Sequence, residues 1–198
     1  CRGENVDEAH KKILKEQTDA FRQHKEMVVS GKAAFLITDY ARTHEIGTVK
    51  MRINGKEVSE RMKLSCLAFV LVAADSTVEG GLVYRNFDFF SARKQRTDFF
   101  EDAIDDLWDQ LQLFINYDWE RIFLWADGGM QTAGNLTVLA ELQKSISRYC
   151  IDGGATSYPY LQANFYAPYH GHNVCDGHFG QIKTRTRHAL IHSPRSRK

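Results

Sequence analysis

The sequence predicts an α/β domain, a mixed β-sheet with helices packed on it. Three observations predict it. Short apolar runs of strand length come first: AAFLITDY (33–40), LSCLAFVLVAAD (64–75) and GLVYRNFDFFS (81–91). The hydrophobic period then lengthens to that of a helix over RTDFFEDAIDDLWDQLQLFINY (96–117). From there strand-like and helix-like segments alternate to the end, which calls for helices covering a sheet.

Each element has a local reason. Residues 5–29 read as a helix with a narrow apolar stripe at Ile13, Leu14, Ala20 and Phe21. AAFLITDY is a buried strand that ends on an acid, because its length and branching suit a strand better than a helix. GTVKMRI (47–53) alternates and is expected to pair back on it, before the turn dipeptide Asn54-Gly55. In the 96–117 segment Phe99, Ala103, Leu107, Leu111 and Phe114 recur at helical spacing, with acids near the start where the helix dipole favours them. ERIFLWADGG (120–129) is again a short strand ending on an acid, followed by glycines. NLTVLAELQKSISRY (135–149) is a helix with Asn135 as N-cap, and Gly153-Gly154 a loop. YLQANFYAPY (160–169) is a strand, and residues 176–192 a last helix. The economical division is an N-terminal helical extension (1–30), one domain (31–192) and a basic tail (193–198).

Bulk properties exclude more than they name. A formal net charge of +1 over 198 residues selects no partner, but from Lys183 onward there are six basic residues and no acid. Such an end is a solvated tail or a contact for a phosphate backbone. The four cysteines form no Cys-x-x-Cys pair, which argues against a disulfide framework and a self-contained zinc finger, and fits a reducing compartment. No apolar run approaches the roughly 20 residues that cross a bilayer, so no membrane is expected. The chain opens on Cys1, as a segment of a longer protein would.

The chemistry is expected at two strand ends and one helix start. FLIT-Asp39 and FLWA-Asp127 both close apolar strands on a carboxylate. The carboxyl ends of parallel strands form the ligand crevice of an open α/β sheet. Two carboxylates projecting there repel each other, and a divalent cation with a preference for oxygen relieves the repulsion. Asp176, where a loop should enter the last helix, is the natural third acid. Three acids suit two ions about 3.5–4 Å apart, an arrangement that cleaves phosphodiesters. The spacing between the acids suits a ribonuclease H-like nuclease sheet. Asp75 is the rival for a ligand slot, but an antiparallel neighbour would put it at the opposite edge. Asp88, inside a strand, is expected to face solvent, and Glu45 to be a solvated loop acid or an auxiliary ligand.

The stretches ITDYART, LWADGGMQTAGN and NFYAPYHGHNVCDGHFGQIK together resemble the DDE/D catalytic core of eukaryotic cut-and-paste transposases, from about residue 30 to about residue 190. Arg42 and Thr43 stand where those sequences carry Glu and Asn, and His172 where they carry Lys. The resemblance implies a nuclease and strand-transfer domain in which Asp39, Asp127 and Asp176 bind two Mg²⁺ or Mn²⁺ ions. It implies that Gly128 and Gly129 let DNA backbone approach, and that His170, His172 and Lys183 contact substrate. DNA is then the partner, a homo-oligomer the working assembly and the nucleus the location. The same fold also serves nucleases and exonucleases without strand transfer, and catalytically silent modules that bind DNA or protein.

Other chemistries compete for the same residues. His170, His172, Cys175 and His178 are four zinc ligands within nine residues. A tetrahedron is hard to close in one tight turn, so a site shared with Cys66 or Cys150 is the better zinc alternative, and Cys175 is expected to bury as a small hydrophobe. Gly171, Gly177 and Gly180 lack the spacing of a nucleotide loop. Phe99, Trp108, Phe114 and Trp125 are expected in the core. Tyr158, Tyr160, Tyr166 and Tyr169 are expected near the site, with packing the default role and stacking of one or two on a base the alternative.

Overall fold

The structure is a computed structural model and describes residues 8–78, 81–91, 97–127, 136–166 and 174–192. For residues 9, 41–47, 49, 61–62, 97, 127 and 186–192 it describes the backbone alone. The elements are α1 (Glu8–Val29), β1 (Ala33–Ile53), β2 (Lys56–Ala74), β3 (Leu82–Ser91), α2 (Thr97–Leu111), β4 (Arg121–Asp127), α3 (Leu136–Asp152), β5 (Tyr160–Tyr166) and α4 (Val174–His192). They build a five-stranded sheet in the order β3-β2-β1-β4-β5. β2 is antiparallel to β1 and to β3, and β4 runs parallel to both β1 and β5. The fold is thus an α/β mixed sheet flanked by helices, with a helix at its N-terminal end.

Strand alternation divides the core into two layers. Leu36, Leu67, Phe69, Leu71, Ile122 and Leu124 face α2 and α3, where Phe100, Leu107, Leu142 and Ile146 meet them. Phe35, Ile37, Val70, Val72, Phe123 and Trp125 face the other way, towards α1 and α4. α2 closes its layer with Phe100, Ala103, Ile104, Leu107 and Leu111, all buried at helical spacing. Trp108 and Phe114 pack at the margin of that layer.

The N-terminal helix is seated on the sheet. Phe21 stacks on Phe35 at 4.9 Å between centroids, and the His24 ring lies flat on Phe123 at 3.7 Å. Trp125 Nε1 donates to His24 Nδ1 at 3.3 Å. Burial and the charge of Arg121 hold His24 below its ordinary pKa, so the neutral ring is free to accept that proton. Of the predicted stripe, Leu14 and Phe21 point inward beside a cavity of about 390 Å³, whereas Ile13 is 46% exposed.

One expected pairing is different. GTVKMRI does not fold back on 33–40; it continues β1, and the whole strand pairs with β2. The turn decides this. Asn54 (φ 51°) and Gly55 (φ 79°) both occupy the left-handed region, as a tight two-residue hairpin requires, so Ile53 pairs with Lys56. The extra residues are absorbed by irregularities between Ala41 and His44 and between Glu45 and Gly47.

Candidate functional site

The parallel register of β1 and β4 ends on the pair Thr38 and Ala126. Asp39 and Asp127 are the next residues on each strand, and neighbouring strands are about 4.8 Å apart. Asp39 is partly buried, and its Oδ1 accepts a hydrogen bond from the Tyr40 N–H at 2.7 Å. It follows Phe35 and Ile37 in the alternation and so belongs to the face covered by α1 and α4. Asp127 pairs with Tyr166 of β5, and its side chain lies outside the described residues.

A second row of contacts crosses the sheet at the same level. Asp39 pairs with Ala68 of β2, and Ala68 with Asp88 of β3. Asp88 does not face solvent as expected. Both its oxygens lie against Nε2 of His178 on α4, at 2.8 and 2.9 Å. Alternation gives the reason. Phe87 goes into the α2 layer, so its neighbour must go into the α4 layer. The sequence signal available was modest: His178 lies three residues after Cys175, on the same side of the helix.

α4 carries Asp176 in its first turn. Cys175, fully buried, points its Sγ at the Ile37 carbonyl oxygen at 3.6 Å. Each residue turns an α-helix by about 100°. With Cys175 down on the sheet, His178 leaves on one flank and reaches β3. Asp176 leaves on the other flank, the side of β4, and is exposed. Lys183, also exposed, follows seven residues later and therefore shares the Asp176 flank, about 10 Å along the axis.

The carboxylates are close enough to be felt. Burial pushes the Cys175 thiol far up, and the charges of Asp39, Asp176 and Asp88 add to the shift. Burial, with Cys175 and Asp39 nearby, also raises Tyr166. His178 is engaged with Asp88, and Cys150 sits in the α2–α3 layer, across the sheet from Cys175. Cys66 is buried in β2, and its thiol is pushed up to about 12 by burial and the charge of Asp88.

Among the described side chains, which do not include that of Asp127, no group of three from His, Cys, Asp and Glu gathers to hold a metal. Gly128, Gly129, His170 and His172 lie outside the described residues, as do Tyr169 and the tail 193–198. The side chain of Glu45 is likewise outside them. Asp75 ends up at the opposite edge from Asp39, where its Oδ1 accepts from the backbone N–H and hydroxyl of Thr77 at 2.9 and 2.6 Å. The tyrosines divide. Tyr166 ends β5 beside Asp127, whereas Tyr158 and Tyr160 pack on each other at the far end of that strand. No helix among the described residues is long and apolar enough to cross a membrane. No protein-family profile matches the chain, and no curated protein matches it.

Proposed function

We propose that residues 31–192 form a ribonuclease H-like catalytic domain that cuts and joins DNA, with two Mg²⁺ or Mn²⁺ ions held by Asp39, Asp127 and Asp176. The observation that carries the reading is the β1–β4 register, which runs out with an aspartate next on each of two parallel strands. The strand order supports it: three antiparallel strands, then two parallel strands alternating with helices, is the layout expected of a ribonuclease H-like nuclease sheet. The turn of α4 that aims Asp176 to the β4 side supports it further.

The donor set fits a hard cation. It is carboxylate oxygen throughout, and the Cys175 thiol and His178 are otherwise engaged. When bound, the ions would activate water or a DNA 3′-hydroxyl and stabilise the leaving oxygen. The chain's own part is to hold and orient. Tyr40 N–H fixes one oxygen of Asp39. Asp176 stands exposed, open to a ligand. Lys183 on the same flank offers a cation to a phosphate of the substrate. Gly128 and Gly129, which follow β4 in the sequence, and His170 and His172, which precede α4, are assigned to the DNA backbone.

The test is nicking of supercoiled plasmid in Mg²⁺ or Mn²⁺. The protein should nick it, and Asp39→Asn, Asp127→Asn and Asp176→Asn should each abolish nicking with the far-UV spectrum unchanged. A folded protein that binds neither ion at millimolar concentration and cuts nothing would instead be a silent binding module. Digestion from linear ends alone would make it an exonuclease. Stoichiometric zinc whose removal unfolds the protein would replace the proposal altogether.

A further inference from the structure

β1 and β2 outrun the sheet. Among the described residues, β4 covers β1 only up to Thr38, and β3 covers β2 only from Ser65 onward. Beyond those points the two strands continue as a ribbon to the Asn54-Gly55 turn. From His44 to Ile53 that is about 30 Å of strand. The ribbon leaves the sheet at the edge where Asp39 sits, and the β1 irregularities that re-aim it lie between the two.

Its charge is one-sided. Residues 44–63 carry five Lys or Arg and three Glu, a net +2 on the ribbon alone, whereas the whole chain is only +1. By register Thr48, Lys50 and Arg52 share a face with Glu57 and Ser59, and the alternation adds Lys63. Among the described side chains that face holds three basic residues and one acid. Lys50 bridges to Glu57 at 3.1 Å with both side chains well exposed. The other face carries Met51, Ile53 and Val58, between 37% and 50% exposed, with Lys56 and Glu60 cancelling in charge.

We infer that this ribbon is an arm that lays its basic face along duplex DNA leading into the acid edge. The inference rests on the nuclease reading for its partner and on the ribbon's own charge for its surface. A two-stranded ribbon has the width that the major groove of B-DNA admits, about 12 Å. Two other occupants fit less well. A second copy of the chain would cover a face of only about 300 Å², from about 30 Å of two strands, against the roughly 800 Å² per partner of a stable interface. A membrane surface would want the apolar and basic side chains at one level, and here they are on opposite faces.

The experiment is fluorescence anisotropy of a labelled 30-base-pair duplex (about three helical turns) without divalent ions, over a range of salt. The wild-type protein should bind with a steep salt dependence. The variant Lys50→Gln/Arg52→Gln/Lys63→Gln should bind more weakly, and its log–log salt slope should fall by about 0.9 for each phosphate that it no longer neutralises. Lys56→Gln, on the opposite face, should change affinity less than about twofold. Unchanged binding by the triple variant overturns the inference, as does equal weakening by Lys56→Gln. So does binding to phosphatidylserine vesicles with none to the duplex. Asp127→Asn separates the arm from the nuclease. Duplex binding that depends on the basic face, in a wild-type protein that does not nick, upholds the arm and sinks the nuclease. Nicking that needs Asp127 but is indifferent to the triple variant does the reverse.

Discussion

Replacing Asp88 and His178 by alanine, singly and together, measures how firmly α4 is pinned to the sheet. The pair joins a helix to an edge strand 90 residues away in sequence. Its side chains keep 25% and 14% of their exposure, and Nε2 reaches both carboxyl oxygens at 2.8 and 2.9 Å. Exposed ion pairs couple by about 0.2–1 kcal/mol. Hydrogen bonds to a charged group in drier surroundings are worth about 1.5–3 kcal/mol. This pair lies between the two, so a coupling energy of about 1–2 kcal/mol is expected. The assay is urea denaturation of the four proteins, with the coupling taken from the double-mutant cycle. A coupling below about 0.5 kcal/mol, the ordinary scatter of independent sites, would contradict this account. The contact would then not hold the helix, and Asp176 would lose the anchor that turns it towards β4.

Two further outcomes follow from buried thiols and from one turn. Cys66, Cys150 and Cys175 are buried with raised thiol pKa values, so three of the four cysteines should resist Ellman's reagent in the native protein and react on unfolding. Fast native labelling of more than one thiol would contradict the packing of α3 or α4. Asp75 is held below its usual 3.8 chiefly by the Thr77 hydroxyl and backbone N–H. A lowered folded pKa means that its contribution is present above the unfolded value and is lost as pH falls through the folded one. A carbon-13 titration should find the Asp75 midpoint below 3.8 and moved upward in Thr77→Val; a midpoint at or above 3.8 in the wild type would show that the turn does not hold the carboxylate.

Where the sequence reads well, local and global preferences agree. The 33–40 and 120–127 runs are apolar, branched and short, and both became central parallel strands buried on two faces. α2 announced itself by spacing, and Phe99, Ala103, Leu107 and Leu111 are all buried. Residues 47–53 read less well because alternation fixes a strand without fixing its partner. Only the two positive-φ residues at the turn settle that Ile53 meets Lys56. For the same reason the projecting ribbon was invisible: nothing in the residues of β1 says where β4 and β3 will stop covering the hairpin.

The site divides along the same line. Asp39 and Asp127 were legible because a carboxylate ending an apolar strand is conspicuous, and parallel pairing then makes the two neighbours. Asp88 was not, since a polar residue in an edge strand ordinarily faces water, and what covers the face that alternation gives it is a helix whose histidine lies 90 residues on. On the proposed reading the same histidine bears on the chemistry. Asp176 sits in the first turn of a helix that touches the sheet through Cys175 and His178, and a helix held at two adjacent turns has little freedom to roll. Rotation by one residue, about 100°, would carry Asp176 away from β4 altogether. The crowded stretch around Cys175 therefore does more than supply one acid. On the proposed reading, its buried thiol and its histidine set the angle at which that acid meets the strand ends.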